Sequence, residues 1–243
     1  MERMRLDKFL AEQGIGSRSQ VKEMVRKGLV KVNDITVKKA DIQVNEKTDK
    51  VAVNGQNLCM NKPAYLMLHK PAGVVSATTD TKERTVMDLL PPEFSRNYFP
   101  VGRLDKDTEG LLLITDDGVL AHNLLSPKHH VDKTYYVEVN GMITDDMKDI
   151  LEQGVDIGDD TITLPAVVSD RKIIPTGMSF LLTITEGRFH QIKRMVQAIG
   201  FEVTYLKRLS MGSLQLDDNL EKGRYRALTL EEIQVLKAWK RSK

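Results

Sequence analysis

The stretch GRLDKDTEGLLLITDDG, Gly102 to Gly118, sets the tightest limit on the fold. Its middle, Leu111 to Ile114, is a continuous aliphatic run and reads as a buried strand. Directly before it stand Arg103, Asp105, Lys106, Asp107 and Glu109, five charged residues within seven positions. Ions at that density do not belong in a core. The chain must carry the strand inward and leave the loop that feeds it at the mouth of a sheet. A carboxylate held there beside Arg103 and Lys106 is a candidate nucleophile or base. Asp105, Asp107, Asp116 and Asp117 offer a competing metal site, although the alternating oxygens and closing Glu of a calcium loop are missing. A charged turn that keeps a hairpin soluble is a third reading, and spacing alone leaves all three open.

The flanking chain alternates strands and helices. LMLH (66–69) predicts a strand ended by Lys70-Pro71, TVMDLLP a short helix stopped by Pro91, and GVLAHNLLSP a helix stopped by Pro127. KTYYVEV (133–139) and SFLLTIT (179–185) predict strands. TDDMKDILEQG predicts a helix capped by Thr144 and ended by Gly154, and HQIKRMVQAIG one closed by Gly200. A final helix opens with a Thr229/Glu232 capping box and runs to the basic end KAWKRSK. Strands outnumber helices and follow no strict βαβ rhythm, which predicts an α+β fold with a mixed or antiparallel sheet.

The first 58 residues carry their own punctuation. RLDKFLAEQG places Leu6, Phe9 and Leu10 on one helical face and ends at Gly14. A second helix starts at Ser17 or Ser19 and ends by Gly28, with Val21, Met24 and Val25 inward. Arg18, Lys22 and Arg26 recur every fourth residue and line up as a basic stripe. Strand-like alternation follows around Asn33-Asp34. This piece holds twelve Lys and Arg against eight Asp and Glu, a net charge of +4, which leaves −2 of the total +2 for the remaining 185 residues. Such asymmetry suits a small module that grips a polyanion, and equally a solvated helix face. We take residues 1–58 as a small N-terminal α/β domain, 59–65 (CMNKPAY) as a linker and 66–243 as a second domain.

One cysteine, Cys59, excludes a disulfide framework. No stretch approaches the ~18 consecutive apolar residues of a membrane span, and no signal peptide is visible. A cytoplasmic protein, without membrane contact, is expected. Neither a Gly-rich phosphate loop nor a metal-ligand cluster stands out, and His129-His130 alone is too little for zinc.

Two resemblances resolve much of this. Residues 4–50 are similar to the alpha-L RNA-binding motif of ribosomal protein S-four and its relatives, which implies RNA contact through the second helix. GRLDKDTEGLLLITDDG resembles the signature loop of the pseudouridine synthases, in the RsuA-type branch that acts on ribosomal RNA. MLHKPAG (67–73) resembles that family's LNKPxG segment, with His69 in place of the usual Asn. KTYYV (133–137) resembles KTYxV, and EGRFHQIKRM (186–195) resembles EGRxHQVKRM. SPKHHVDKTY and the Lys193-Arg194-Met195 run resemble the small-subunit members of the branch most.

The resemblance implies isomerisation of a uridine to pseudouridine: uracil leaves the ribose, turns, and rejoins through carbon five. No cofactor and no metal are needed. It implies Asp105 as the catalytic residue, Lys193 as its counter-ion and Tyr135 as the ring that stacks on the flipped base. Tyr136, on the other side of the strand, is left for packing. Arg103 would fill the gap in the RNA or hold a phosphate. With Arg18, Lys22 and Arg26, the residues Arg188, Arg194, Lys207 and Arg208 are expected phosphate contacts. The implied partner is 16S ribosomal RNA, in the helix-18 region and in a small-subunit assembly intermediate, bound by a monomer. The other functions weighed are a non-catalytic RNA-binding assembly factor and a Mg²⁺-dependent nuclease built on the acidic loop.

Overall fold

The computed structural model describes residues 3–13, 15–45, 48–57, 65–94 and 97–238. The chain divides into two compact units, 1–63 and 64–243.

In the first unit β1 (Arg3–Arg5) leads into α1 (Leu6–Glu12) and α2 (Arg18–Arg26). Five short strands follow: β2 (Val30–Val32), β3 (Ile35–Thr36), β4 (Gln43–Asn45), β5 (Val51–Val53) and β6 (Gln56–Asn57). β1 pairs with β4, and the other four form a sheet in the order β3-β2-β5-β6. Ser17 starts α2 with a full capping box, its hydroxyl accepting from the Gln20 N–H while the Gln20 amide accepts from the Ser17 N–H. Asn33 and Asp34 both take positive φ (49° and 65°), as a two-residue hairpin between β2 and β3 requires. Leu6, Phe9, Leu10, Val21 and Val25 form the core with valines of the strands. Arg18, Lys22 and Arg26 stand exposed on the opposite side of α2.

The second unit begins with β7 (Tyr65–Lys70), a 3-10 turn at Val86–Leu89, β8 (Phe99–Pro100) and β9 (Glu109–Thr115). Then come α3 (Gly118–Leu125), β10 (Lys133–Val139), α4 (Asp145–Gln153), β11 (Val167–Ile174) and β12 (Gly177–Ile184). The unit closes with α5 (Gln191–Ala198), β13 (Val203–Met211), β14 (Leu214–Gln215), β15 (Tyr225–Ala227) and α6 (Leu230–Ala238). One sheet runs β11-β12-β10-β13-β9-β7-β15, with β14 beside β13 and β8 beside β9. Among the described residues, every strand pair in it is antiparallel except β9 with β13, which is parallel. The fold is α+β with a mixed sheet.

All seven residues of β9 are buried. Leu112 and Ile114 join one core with Leu66, Leu68, Val137 and the inner face of α5. Leu111 and Leu113 join a second core with Met67, Leu120 and Leu236 on the other side. The aliphatic run is therefore covered on both faces, because successive side chains of a strand point to opposite sides.

The structure moves one boundary. Tyr65, assigned to the linker, is the first residue of β7; it is buried, and its hydroxyl donates to Asp117 (2.7 Å). The rest of that linker, Gly14, and the basic tail after Ala238 lie outside the described residues.

Candidate active site

The loop from Gly102 to Thr108 is held at the end of the sheet by groups that do not belong to it. Lys70, the last residue of β7, is fully buried. Its Nζ donates to the carbonyls of Thr108 (2.7 Å), Asp105 (3.0 Å), Pro71 (3.1 Å) and Lys106 (3.2 Å). An ammonium has three protons, so four carbonyls share them. Burial lowers the Lys70 pKa to about 8, opposed by the charges of Asp107, Asp105 and Glu109. The Ser76 hydroxyl donates to the Leu104 carbonyl (2.9 Å) and accepts from the Leu104 N–H (3.0 Å). The Gly73 N–H donates to Lys106 (2.8 Å), and the Thr108 N–H closes a turn on Asp105 (3.1 Å). The backbone on both sides of Asp105 is thus fixed.

Gly110 explains the second glycine that frames the charged loop. It lies in register with Arg208 across the parallel pair, at φ +106°. A Cβ there would meet the Arg208 carbonyl oxygen at 2.2 Å and its nitrogen at 2.7 Å, so no side chain fits.

Parallel strands enter a sheet from the same end. The loop before β9 and the helix before β13 therefore emerge together, which brings Lys193 of α5 to Asp105. Lys193 Nζ lies 3.3 Å from Asp105 Oδ2, both side chains being 27% exposed. The same Nζ lies 2.6 and 2.8 Å from the two carboxylate oxygens of Asp107. Burial works against the charge of Lys193, yet the bonds and charges of Asp107 and Asp105 outweigh it and raise its pKa. Burial likewise works against the Asp107 carboxylate, and Lys193 brings its pKa below the ordinary range. Lys193 is the third residue of α5, where the helix dipole adds positive potential. His190 Nε2 stands 3.6 Å from Asp105 Oδ1.

Asp105 lines a cavity of about 500 Å³ together with Arg103, Lys133, Tyr135, His190 and Arg208. A smaller pocket of about 80 Å³ joins Asp105 to Lys193 and Leu206. Tyr135 is 7% exposed and sits in the wall of both, while Tyr136 faces the other side of β10 and bonds Glu138 (3.0 Å). The structure therefore brings Asp105, Tyr135, Lys193 and the exposed Arg103 to one place.

The four acidic residues do not converge. Asp116 and Asp117 lie past the far end of β9, roughly 20 Å from its start at ~3.4 Å per residue. There Asp117 caps α3, accepting the Leu120 N–H at 2.9 Å.

Of the residues expected to hold phosphates, three are engaged within the protein and a fourth lies on the other face of the sheet. Arg188 donates to Glu186 (2.9 Å), Thr161 (2.6 Å) and Ile162 (2.8 Å), so its donors are engaged within the protein. Arg194 likewise binds the Ile157 carbonyl, Asp159 (2.5 Å) and the Phe189 carbonyl (3.1 Å). Arg208 is 2% exposed; its Nε donates to Leu111 (2.8 Å) and its Nη2 is buried without a partner among the described residues. Lys207 is in register with Tyr136, so it lies on the face of the sheet away from Tyr135. A basic side chain carries no mark in sequence that tells a brace from a surface contact. Lys70 was missed for the converse reason: a lysine ending an apolar strand reads as the strand's solvent-facing stop. Its one visible signal is that it continues a buried run directly into proline.

The comparisons with known proteins agree with this architecture. Residues 64–198 match the family model described as RNA pseudouridylate synthase, and residues 4–51 match the S4 domain. The chain is 49% identical over 235 residues to the uncharacterized RNA pseudouridine synthase YtzG of Bacillus subtilis, covering 96% of this chain and 98% of that one. It is 40% identical over 232 residues to ribosomal small subunit pseudouridine synthase A of Escherichia coli, covering 95% and 98%. A crystal structure of a pseudouridylate synthase superposes with a TM-score of 0.66 at 36% identity, over 96% of this chain and 99% of that one. With an S4 domain in its first unit and the synthase sheet in its second, the chain belongs to the RNA pseudouridylate synthase family.

Proposed function

We propose that this protein isomerises one uridine of small-subunit (16S) ribosomal RNA to pseudouridine, with Asp105 as the catalytic residue. The observation that carries the reading is the Asp105 carboxylate, 3.3 Å from the Lys193 ammonium and open to the cavity walled by Tyr135. The name of the Escherichia coli relative supports the choice of the small subunit.

The target uridine leaves its stack and enters the cavity, a step that costs a few kcal/mol in folded RNA. Tyr135 stacks on the ring. Lys193 keeps the Asp105 carboxylate oriented, and Lys70 holds the backbone that carries it. The bond from C1′ to N1 breaks, the base turns, and a bond from C1′ to C5 forms. The proton on C5 leaves as N1 gains one, so no atom or electron is added overall. The S4 domain grips the RNA backbone through Arg18, Lys22 and Arg26, and Arg103 works at the cavity mouth. The protein acts as a monomer in the cytoplasm, on RNA shaped by a small-subunit assembly intermediate. Every uracil presents the same edge, so selection of one comes from RNA shape.

Carbodiimide primer-extension mapping of both ribosomal RNAs with purified protein tests the proposal. One new stop is expected in 16S RNA. Asp105→Asn should lower the rate by about 10³-fold or more while leaving RNA affinity near wild type, since the amide keeps the shape and loses the charge. A stop confined to 23S RNA would overturn the substrate, and turnover by Asp105→Asn would overturn the residue.

A further inference from the structure

We propose that Phe189, backed by His190, is a stacking platform for a nucleobase adjacent to the flipped uridine. This rests on the reading above, in which the cavity receives a uridine from RNA.

Phe189 is 73% exposed, yet it is not a loose surface residue. Its ring lies over the His190 imidazole, centroids 3.8 Å apart and planes 18° from parallel. One face of the phenyl ring is thus covered by an aromatic neighbour and the other is open. Both residues line the rim of the cavity that holds Asp105 and Tyr135.

The segment beneath them is braced from several sides. Arg194 donates to the Phe189 carbonyl (3.1 Å) and joins it to Asp159 and Ile157. The Arg188 N–H donates to the Gln191 amide oxygen (2.9 Å), and that amide's nitrogen donates to Glu186 (2.9 Å). The Arg188 side chain ties Glu186 to the carbonyls of Thr161 and Ile162. His190 itself is held in the left-handed region at φ +48° and serves as the N-cap of α5. A non-glycine residue stays there only when its surroundings enforce it. The two arginines that sequence assigned to phosphates therefore act on the protein's own backbone. What they hold in place is an open aromatic face, which is preorganised for binding because its loop is already ordered.

The ligand follows from the chemistry of the mouth. Removing a uridine from its stack deprives the neighbouring bases of a partner. An open aromatic ring beside the receiving cavity replaces that partner, and it does so for any base, because every base has a π-face. The exposed cation Arg103, on the same cavity, suits the adjoining phosphate.

The test uses full-length protein and a 16S RNA fragment containing the mapped uridine, with 2-aminopurine replacing its 5′ or its 3′ neighbour. Wild type, Phe189→Ala, Phe189→Leu and Phe189→Trp are compared for KM, kcat and emission of the bound probe. Loss of one stacked base corresponds to about 5- to 150-fold in affinity. We expect KM to rise by that range in Phe189→Ala and Phe189→Leu, with kcat within about threefold of wild type and near-normal values for Phe189→Trp. At one of the two neighbours, the probe should be dimmer on wild type and Phe189→Trp than on the other two. Full rescue by leucine would replace stacking with simple apolar packing. Unchanged KM together with equal emission at both neighbours, in a protein that still makes pseudouridine, would overturn the platform alone. Absence of pseudouridine with wild type, on the fragment and on a small-subunit assembly intermediate alike, would overturn the functional reading and the platform with it.

Discussion

Lys193 closes a two-oxygen ion pair with Asp107, at 2.6 and 2.8 Å, and reaches Asp105 only at 3.3 Å. The Asp107 carboxylate is thus the nearer partner of the ammonium, and we predict that it positions Lys193 beside Asp105. The Asp107 side chain is 70% exposed, so the pair is screened and its own contribution to stability is small.

Two variants separate these roles. Lys193→Ala removes the cation proposed to orient Asp105, and the single-turnover rate should fall by about 10²-fold or more with RNA affinity nearly kept. Asp107→Asn leaves Lys193 with Asp105 as its remaining carboxylate partner, and the rate should change by less than about tenfold. Rapid-quench measurement of tritium release from C5 reads both. A loss confined to affinity in Lys193→Ala would make Lys193 a phosphate contact.

The pH profile should report Lys70. Its ammonium holds the carbonyls of the loop, and its pKa in the folded protein is about 8. As pH rises through that value the donors are lost, so the rate should decline with an alkaline limb near 8. Global stability responds with the opposite sign. In the unfolded chain a lysine keeps its proton to about 10.4, so from pH 8 to that value the unfolded state binds more protons and this group raises the free energy of unfolding. Lys133, also lowered to about 8 by burial and by Arg208, acts in the same direction. Rate and denaturant midpoint measured across pH 7 to 10 should therefore diverge. A parallel fall of both would mean that the loop does not depend on Lys70.

Gly110→Ala should damage the sheet rather than the chemistry. The new Cβ would sit 2.2 Å from the Arg208 carbonyl oxygen, in backbone the residue also adopts at φ +106°. A loss of about 3 kcal/mol or more in the second unit is expected by urea unfolding, from clash and strain together. A loss under about 1 kcal/mol would show that β9 and β13 can separate freely at this point.

Replacing Arg18, Lys22 and Arg26 together with Gln should weaken RNA binding evenly across sequences and flatten its salt dependence. The slope of log K against log salt should drop by about 0.7–0.9 for each phosphate contact removed. All three side chains point away from the core of their unit, so folding should be unaffected. An unchanged slope would identify the stripe as an ordinary solvated face.

The fold was legible in sequence wherever local pattern decides structure. The β9 run, the Ser17, Thr144 and Thr229 caps, and the alternation of Tyr135 and Tyr136 all act within a few residues. What was not legible depends on partners far along the chain. Three of the four carbonyls that Lys70 meets lie in a loop 35 to 38 residues on, and the distant acceptors of Arg188 and Arg194 lie in the stretch before β11. Arg208 reads as surface from its charge and is buried because it crosses to Leu111, 97 residues away. The S4 and synthase resemblances supplied the family, while the parallel register of β9 and β13 has no periodicity to announce it.

That register also governs when the site can exist at all. Asp107 and Lys193 are separated by 86 residues, and Tyr205 and Glu109, which share a hydrogen bond, by 96. Contacts of such long range form late, because the intervening loop must close before they return any energy. A growing chain on the ribosome thus carries the Asp105 loop for roughly a hundred further residues before β13 arrives to dock beside it. Until then Asp105 lacks Lys193 beside it, β9 lacks its two paired residues in β13, and the site is incomplete.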